Sequence, residues 1–146
     1  MAITQAIANA FKEQLLEGDQ NFSSSGGDVF KLALYTSSAT LNSATTAYTA
    51  TNEVGDSGTY TAGGGTLTGQ NTSIASGVAI VDFADLSFTG VTLTARGALI
   101  YNTSSAVTDA AVAVLDFGAD KTATSGTFTV QFPAFTTAAA ILRISG

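Results

Sequence analysis

Apolar residues recur every four positions at the start of the chain. The members of this stripe are Ile3, Ile7, Phe11 and Leu15. Residues four apart share one face of a helix, so the stripe predicts an amphipathic helix in an N-terminal arm of residues 1–20, with Gly18 as its C-cap. A helix of this length is marginal unless its apolar face is covered. The stripe therefore packs either on its own domain or on a partner subunit.

Beyond the arm, a period of two replaces the helical spacing. The segment Val29–Tyr35 alternates as a strand with one buried face, and in TFTVQF Phe128 and Phe132 alternate with threonine and glutamine. Turn residues recur about every 8–12 positions in the second half, and no helical segment connects the strands. The pattern predicts one mainly β domain over residues 21–146. We expect an antiparallel β-sandwich or jelly-roll-like barrel with one N-terminal amphipathic α-helix.

Two stretches lack either period. The segment QNFSSSGGD is predicted to be a flexible linker, and residues 36–68 form a long Thr/Gly-rich loop with short strands near Ala47–Val54 and Thr59–Thr61. A loop of this length in a compact domain is usually functional or disordered. Its aromatic residues are Tyr48 and Tyr60. Flexible polar loops seldom carry aromatic residues without a contact, so both are candidate interaction residues.

The hexapeptides VAIVDF and VAVLDF begin at Val78 and Val112 and are predicted to be equivalent strands. Each lies beside a pair of acids, and these pairs are Asp82 with Asp85 and Asp116 with Asp120. An aspartate at the end of an apolar strand commonly accepts hydrogen bonds from the turn backbone. This interpretation is favoured over a calcium site or a catalytic carboxylate pair.

Two arginines, Arg96 and Arg143, lie within strong strand patterns. A strand arginine either pairs with an acid, here Asp82 or Asp116, or lies outward along the sheet. The outward orientation is the favoured prediction for both.

The composition removes most catalytic and metal chemistry. The chain has no His and no Cys, which removes the usual general base, the Ser-His and Cys-His pairs and the commonest zinc ligands. The glycine-rich segment TAGGGTLTG precedes no helical pattern, so it is interpreted as a turn rather than a phosphate loop. We therefore predict no enzyme activity, no catalytic residues, no cofactor and no metal.

The charge pattern bears on partners. Eleven acids and five scattered bases give a net charge of −6, and a nucleic-acid binder needs a clustered positive face. The N-terminal segment lacks both the basic region of a signal peptide and a continuous apolar run. These features predict no nucleic-acid partner, no membrane association and synthesis in a cytoplasm.

Several segments resemble a family of small structural proteins of tailed bacteriophages. These segments are FKLALYTSSATLN, TAYTATNEV, YTAGG, ARGALIYN and AVAVLDFGADKTATSGTFTVQFPA. The likeness runs from about Ala2 to Ile144 and includes the order of parts, from helix to strand to Thr-rich loop to a β-rich second half. The family offers no catalytic residues to carry over.

The resemblance implies a role in the virion, after synthesis in the cytoplasm of a host bacterium. The leading expectation is a capsid decoration (cement) protein, a homo-oligomer with a trimer favoured, that binds the major capsid protein or other virion proteins. Small size, net acidity and missing chemistry fit this expectation. The expected working surface is the helix stripe together with the long loop.

Two alternatives stay open. One is a neck or tail component, such as a collar, adaptor or fibre-base subunit, which predicts the same composition. The other is a carbohydrate-binding module that attaches the particle to a host surface. Its aromatic platform would be formed by Tyr48, Tyr60 and Tyr101, although the chain has no Trp.

Overall fold

A computed structural model describes residues 2–146. Within this range there is one α-helix, α1, at Asn9–Glu17. The strands, in chain order, are β1 Ala6–Ile7, β2 Phe30–Tyr35, β3 Gly65–Thr66, β4 Asn71–Ala75, β5 Val78–Asp82, β6 Leu86–Asn102, β7 Ala110–Val130 and β8 Leu142–Ile144.

Antiparallel pairing arranges the strands in two sheets. The larger sheet has the order β1-β7-β6-β2-β3, and the smaller sheet has the order β4-β5-β8. Each order has two ends, so neither sheet closes on itself. The sequence prediction of a mainly β, antiparallel fold with one short helix near the N-terminus is confirmed, and the arrangement is consistent with a β-sandwich.

Strands β6 and β7 are much longer than predicted. They span 17 and 21 residues, and each absorbs two segments that the sequence pattern separates. Gly90 and Gly118 lie inside the strands with φ values of 62° and 79°. Glycine adopts this left-handed conformation at little cost, so the register shifts beside each glycine while the strand continues.

The N-terminal stripe is only partly helical. Ile3 forms a parallel bridge to Leu41, and β1 pairs with β7 before α1 begins. Gly18 caps the helix in the left-handed conformation, as predicted. The predicted helix is wrong for residues 2–8, and Met1 lies outside the described residues. A spacing of four residues also puts side chains on one face of a strand, because four is a multiple of the strand period.

The segment predicted as a flexible linker is packed into the core. Phe22 in this segment is buried, and its ring stacks on that of Phe30 in β2 with 4.4 Å between the centroids. The same ring meets Phe11 of α1 edge-on at 5.8 Å and Phe83 at 6.2 Å. This aromatic cluster joins α1, the larger sheet and the end of β5, so the linker is anchored near its N-terminal end.

The long loop lies where it was predicted but contains little strand. Residues 36–64 form no helix or strand, and β3 occupies part of the remainder. The strands predicted near Ala47–Val54 and Thr59–Thr61 reduce to isolated bridges, which join Ala47 to Ala110, Glu53 to Tyr35 and Ser57 to Tyr60. The loop nevertheless packs on the domain, and its buried side chains include Leu41, Val54 and Tyr60.

The two similar hexapeptides lie in different sheets. The first forms β5, the central strand of the smaller sheet, and the second lies in the first half of β7 in the larger sheet. Val112 and Val114 are fully buried, whereas Ile80 is the only buried residue of β5. The prediction of equivalent strands is therefore wrong. The elements that cover a strand decide its burial, and these are set by distant parts of the chain.

Candidate functional site

The residues of the helix stripe pack on their own subunit. Ile3 and Phe11 are buried in the core, and Ile7 and Leu15 are partly buried against it. Of the two alternatives drawn from the sequence, docking of the stripe on its own domain is the correct one. Ile3 and Phe11 are therefore not available as an interaction surface.

The Glu53 carboxylate is the centre of a polar cluster in the long loop. One of its oxygens accepts a hydrogen bond from the Tyr48 hydroxyl at 2.5 Å. The other accepts hydrogen bonds from the Tyr60 hydroxyl at 2.7 Å and from the Gly63 backbone N–H at 2.6 Å. Three donors from different parts of the loop thus converge on one carboxylate, and charge-assisted hydrogen bonds of this kind are among the strongest in proteins.

All four tyrosines of the chain belong to this cluster. The Tyr60 hydroxyl also accepts the Leu34 N–H of β2 at 2.8 Å. Tyr101 donates to the Gly63 carbonyl at 2.5 Å and stacks on Tyr48 with 4.9 Å between ring centroids. Tyr35 donates to the Thr49 carbonyl at 2.6 Å. The tyrosines therefore fasten the loop to β2 and β6 of the larger sheet.

The environment keeps these hydroxyls protonated. Burial raises the pKa of Tyr101 to about 12, with the charges of Asp109 and Glu53 adding to the effect. Burial, and then the adjacent Glu53 carboxylate, raise the pKa values of Tyr35, Tyr48 and Tyr60 further above the ordinary tyrosine range. At neutral pH each hydroxyl is therefore protonated and donates a hydrogen bond. Glu53 and the four tyrosines together hold the loop on the sheet, and this cluster is called here the tyrosine–Glu53 clamp.

The clamp corrects the predicted aromatic platform. Only 1% of Tyr60 and 3% of Tyr101 is exposed, so neither ring can stack on a sugar. The expected contact of the loop aromatics is therefore made inside the subunit. Sequence reasoning missed Glu53. The available signal was that the two charged residues of the 36–68 loop, Glu53 and Asp56, both stand between Tyr48 and Tyr60 in the sequence.

Asp116 accepts a backbone hydrogen bond as predicted, but it lies inside β7 and not at the end of a strand. One of its oxygens accepts the Gly118 N–H at 2.8 Å and pairs with the Arg96 guanidinium at 3.2 Å. The Gly118 hydrogen bond, followed by Arg96, lowers the pKa of Asp116. The favoured outward orientation is wrong for Arg96, because the alternative pairing with Asp116 is observed. Arg143 instead donates to the Thr137 and Ala138 carbonyls.

The remaining acids of the two predicted pairs have different environments. Asp85 accepts the Phe132 N–H at 2.9 Å, whereas one buried oxygen of Asp82 has no hydrogen-bond partner. Asp120 is exposed. Residues 2–146 contain no group of three or more His, Cys, Asp or Glu side chains placed to hold a metal ion.

The part of the β6–β7 pair that extends beyond β2 has one buried and one exposed face. Phe88, Val91, Leu93, Phe128 and Val130 lie on the buried face. The exposed face, called here the hydroxyl face, consists of Ser87, Thr89, Thr92, Thr94, Thr122, Thr124, Thr127 and Thr129. Hydroxyl pairs bridge the strands, with Ser87 bonded to Thr129 at 2.9 Å and Thr94 to Thr122 at 2.8 Å. The result is a continuous uncharged polar surface.

Comparison with protein-family models, with curated proteins and with solved structures finds no match for this chain. The likeness to phage structural proteins therefore remains a prediction. In the part of the chain that the structure describes, no helix has the length and hydrophobicity needed to cross a membrane.

Proposed function

We propose that this chain is a non-enzymatic structural protein of a bacteriophage virion that decorates the capsid by binding the major capsid protein. The sequence likeness suggests the virion. The observation that carries the docking role is the hydroxyl face, which offers eight exposed Ser and Thr side chains and no charge on one side of a paired strand surface. Particle localisation and a homo-oligomer, with a trimer favoured, belong to the same proposal.

The chemistry of the hydroxyl face suits docking on a protein lattice. A hydroxyl both donates and accepts, so it can match either kind of partner group. Burying hydroxyls that find partners costs less than burying charges, which must be paired to be tolerated. Threonine is also stiff at χ1, and this lowers the side-chain entropy lost on binding.

The tyrosine–Glu53 clamp supports the same role. It holds the long loop against β2 and β6, and the loop in turn meets the edge of β6, where Thr59 N–H donates to the Thr89 carbonyl at 3.0 Å. The Ser57 hydroxyl accepts the Thr92 N–H at 2.8 Å. A surface that is ordered before binding loses less conformational freedom when it docks.

Counting the copies of this protein in purified particles tests the proposal. Quantitative mass spectrometry against the major capsid protein should give copies in proportion to the capsid lattice. Far fewer copies would place the protein at the neck, the tail or a vertex, which is the alternative with the same composition. Complete absence from particles would contradict the virion role itself.

Variants of the hydroxyl face test the docking surface. The double substitution Thr94→Lys with Thr127→Lys should abolish cosedimentation with capsid shells, because it brings two charges into the proposed contact. Thr40→Lys and Thr108→Lys, both at exposed positions outside the face, are the matched controls and should bind as the unmodified protein does. Binding by the double variant equal to that of the controls would exclude this face.

A further inference from the structure

One face of the smaller sheet is apolar across all three strands. Antiparallel register aligns its side chains in two rows. The inner row consists of Thr72, Val81 and Leu142, and the outer row consists of Ile74, Ala79 and Ile144. Directly paired residues point to the same face of a sheet, so both rows present side chains to the same side.

Helix α1 and the linker face this side of the sheet, but Ile74 of the outer row lies beyond them. A cavity of about 610 Å³ separates them from the sheet, with Phe11, Leu15 and Phe22 on one side and Val81 and Leu142 on the other. In the outer row, 77% of Ile74 and 60% of Ile144 is exposed. The apolar surface of the sheet thus continues past the edge of its cover.

The C-terminal end of α1 carries a further exposed apolar side chain beside residues that line the cavity. Lys12 lines the cavity, and Leu16 lies one turn further along the same helix face with 91% of its surface exposed. Leu16, Ile74 and Ile144 are the three most exposed large apolar residues among those described. Large apolar side chains left exposed at or near an apolar cavity are typical of interaction sites on soluble proteins.

Charges of both signs border the same surface. The described residues that line the cavity include the bases Lys12 and Arg143 and no acid, although the chain has 11 acids and five bases. Glu13 and Glu17 flank Leu16 on the exposed side of α1. A patch with an apolar centre, a basic side and an acidic side is complementary to itself, as contacts between identical subunits require.

We infer that the outer row, Leu16 and the mouth of the cavity form the surface through which a second copy of this chain docks. Leu16 of one copy, with Glu13 and Glu17, meets the mouth of the cavity and Lys12 of the other copy. This contact uses residues outside the hydroxyl face. It therefore does not depend on the proposed capsid role, and it forms in the purified protein.

Sedimentation velocity of the purified full chain over a range of concentrations tests this inference. The unmodified protein should sediment as a dimer or a trimer, and the mass tells whether the contact is two-fold or head-to-tail. Leu16→Asp and Ile74→Asp should each weaken self-association by about tenfold or more while the circular dichroism spectrum is unchanged. Val107→Asp, at another exposed apolar residue outside the surface, is the control and should assemble normally.

Three results would overturn the inference. The first is an unmodified protein that stays monomeric at every concentration. The second is assembly that persists in both Leu16→Asp and Ile74→Asp. The third is a monomer that forms a complex through these residues only after capsid protein is added, which would assign the surface to a different partner.

Discussion

The two sheets differ in how completely their side chains are used. In the larger sheet, β2 is buried along nearly its whole length. The Glu53 carboxylate of the adjacent loop accepts three hydrogen bonds, from Tyr48, Tyr60 and the Gly63 N–H. In the smaller sheet every residue of β4 is exposed, Ile74 and Ile144 present most of their surface to solvent, and a buried oxygen of Asp82 has no hydrogen-bond partner. The side chains of β2 in the larger sheet are buried within the subunit, whereas those of the smaller sheet are only partly buried.

Because of this difference, we expect the larger sheet to contribute mainly to folding stability and the smaller sheet mainly to association. Buried apolar area and satisfied polar groups stabilise the subunit, and both are concentrated in the larger sheet. The smaller sheet contributes less to folding because much of its apolar surface still meets water. The same surface can be buried against another molecule. The contrast therefore predicts that damage to the larger sheet lowers stability, whereas damage to the smaller sheet lowers assembly.

High pH should act on the larger sheet, because Tyr35 and Tyr101 lie in its strands and Tyr48 and Tyr60 lie in the loop that packs on it. Their folded-state pKa values are raised above the unfolded value near 10, so stability is complete below about pH 10 and is lost as pH rises toward the folded values. Because an unfolded tyrosine is only half ionised at pH 10, each tyrosine that stays protonated in the folded state costs about 1 kcal/mol between pH 10 and pH 11. For the three buried tyrosines, the free energy of unfolding should therefore fall by about 3 kcal/mol over this interval.

Denaturant unfolding at a series of pH values, with tyrosinate absorbance followed in parallel, measures this loss. Tyr101→Phe is the matched variant, and it should make the pH dependence shallower by one proton. Ionisation of all the tyrosines near pH 10 in the folded protein would contradict the clamp.

Shortening one aliphatic side chain in each sheet tests the contrast directly. Leu99→Ala opens a cavity beside fully buried neighbours in β6 and should cost about 3 kcal/mol of unfolding free energy. Ile74→Ala removes an exposed side chain and should change the free energy of the monomer by less than about 0.5 kcal/mol. Urea unfolding below the concentration for self-association measures both. Equal losses in the two variants would show that the smaller sheet is enclosed to the same degree.

Features governed by local sequence could be predicted. The position of the β2 strand, the Gly18 cap and the alternating threonines of the hydroxyl face each follow from short periodic patterns or from the conformational range of one residue. The prediction of a single buried face for β2 is wrong, because Leu32, Ala33 and Leu34 are all buried. The mainly β fold class follows from many such patterns in sequence. The start of α1 could not be predicted in the same way, since a four-residue spacing satisfies both helix and strand.

Features that depend on distant pairing could not be predicted. Glu53 meets Tyr60 only because the loop folds back on β2, and the row of Ile74 and Ile144 exists only in the observed register of three strands. In the sequence, Ile74 stands among serine and threonine and has the pattern of a turn. The two hexapeptides look alike for the opposite reason, because their local patterns agree while their covering elements differ.

Loss of the Arg96–Asp116 ion pair should have the smallest effect on stability among these changes to the larger sheet. Both side chains are partly exposed, so Arg96→Ala should lower the unfolding free energy by only about 0.5 kcal/mol. The Gly118 N–H is the main cause of the lowered pKa of Asp116, so this pKa should stay below its ordinary value in the variant. A lowered folded-state pKa gives stability that is present above the unfolded pKa and is lost as pH falls through the folded value.

An NMR titration of the Asp116 carboxyl in both proteins measures the two contributions separately. Lys121→Ala, which removes an exposed base of the same strand, is the control for a general loss of positive charge. If Arg96→Ala returned the Asp116 pKa to its ordinary value, the ion pair would be the main cause. A partly exposed contact on the larger sheet would then contribute more to stability than its exposure predicts. The greater stability expected of the larger sheet would then depend on where its contacts lie and not on how completely they are buried.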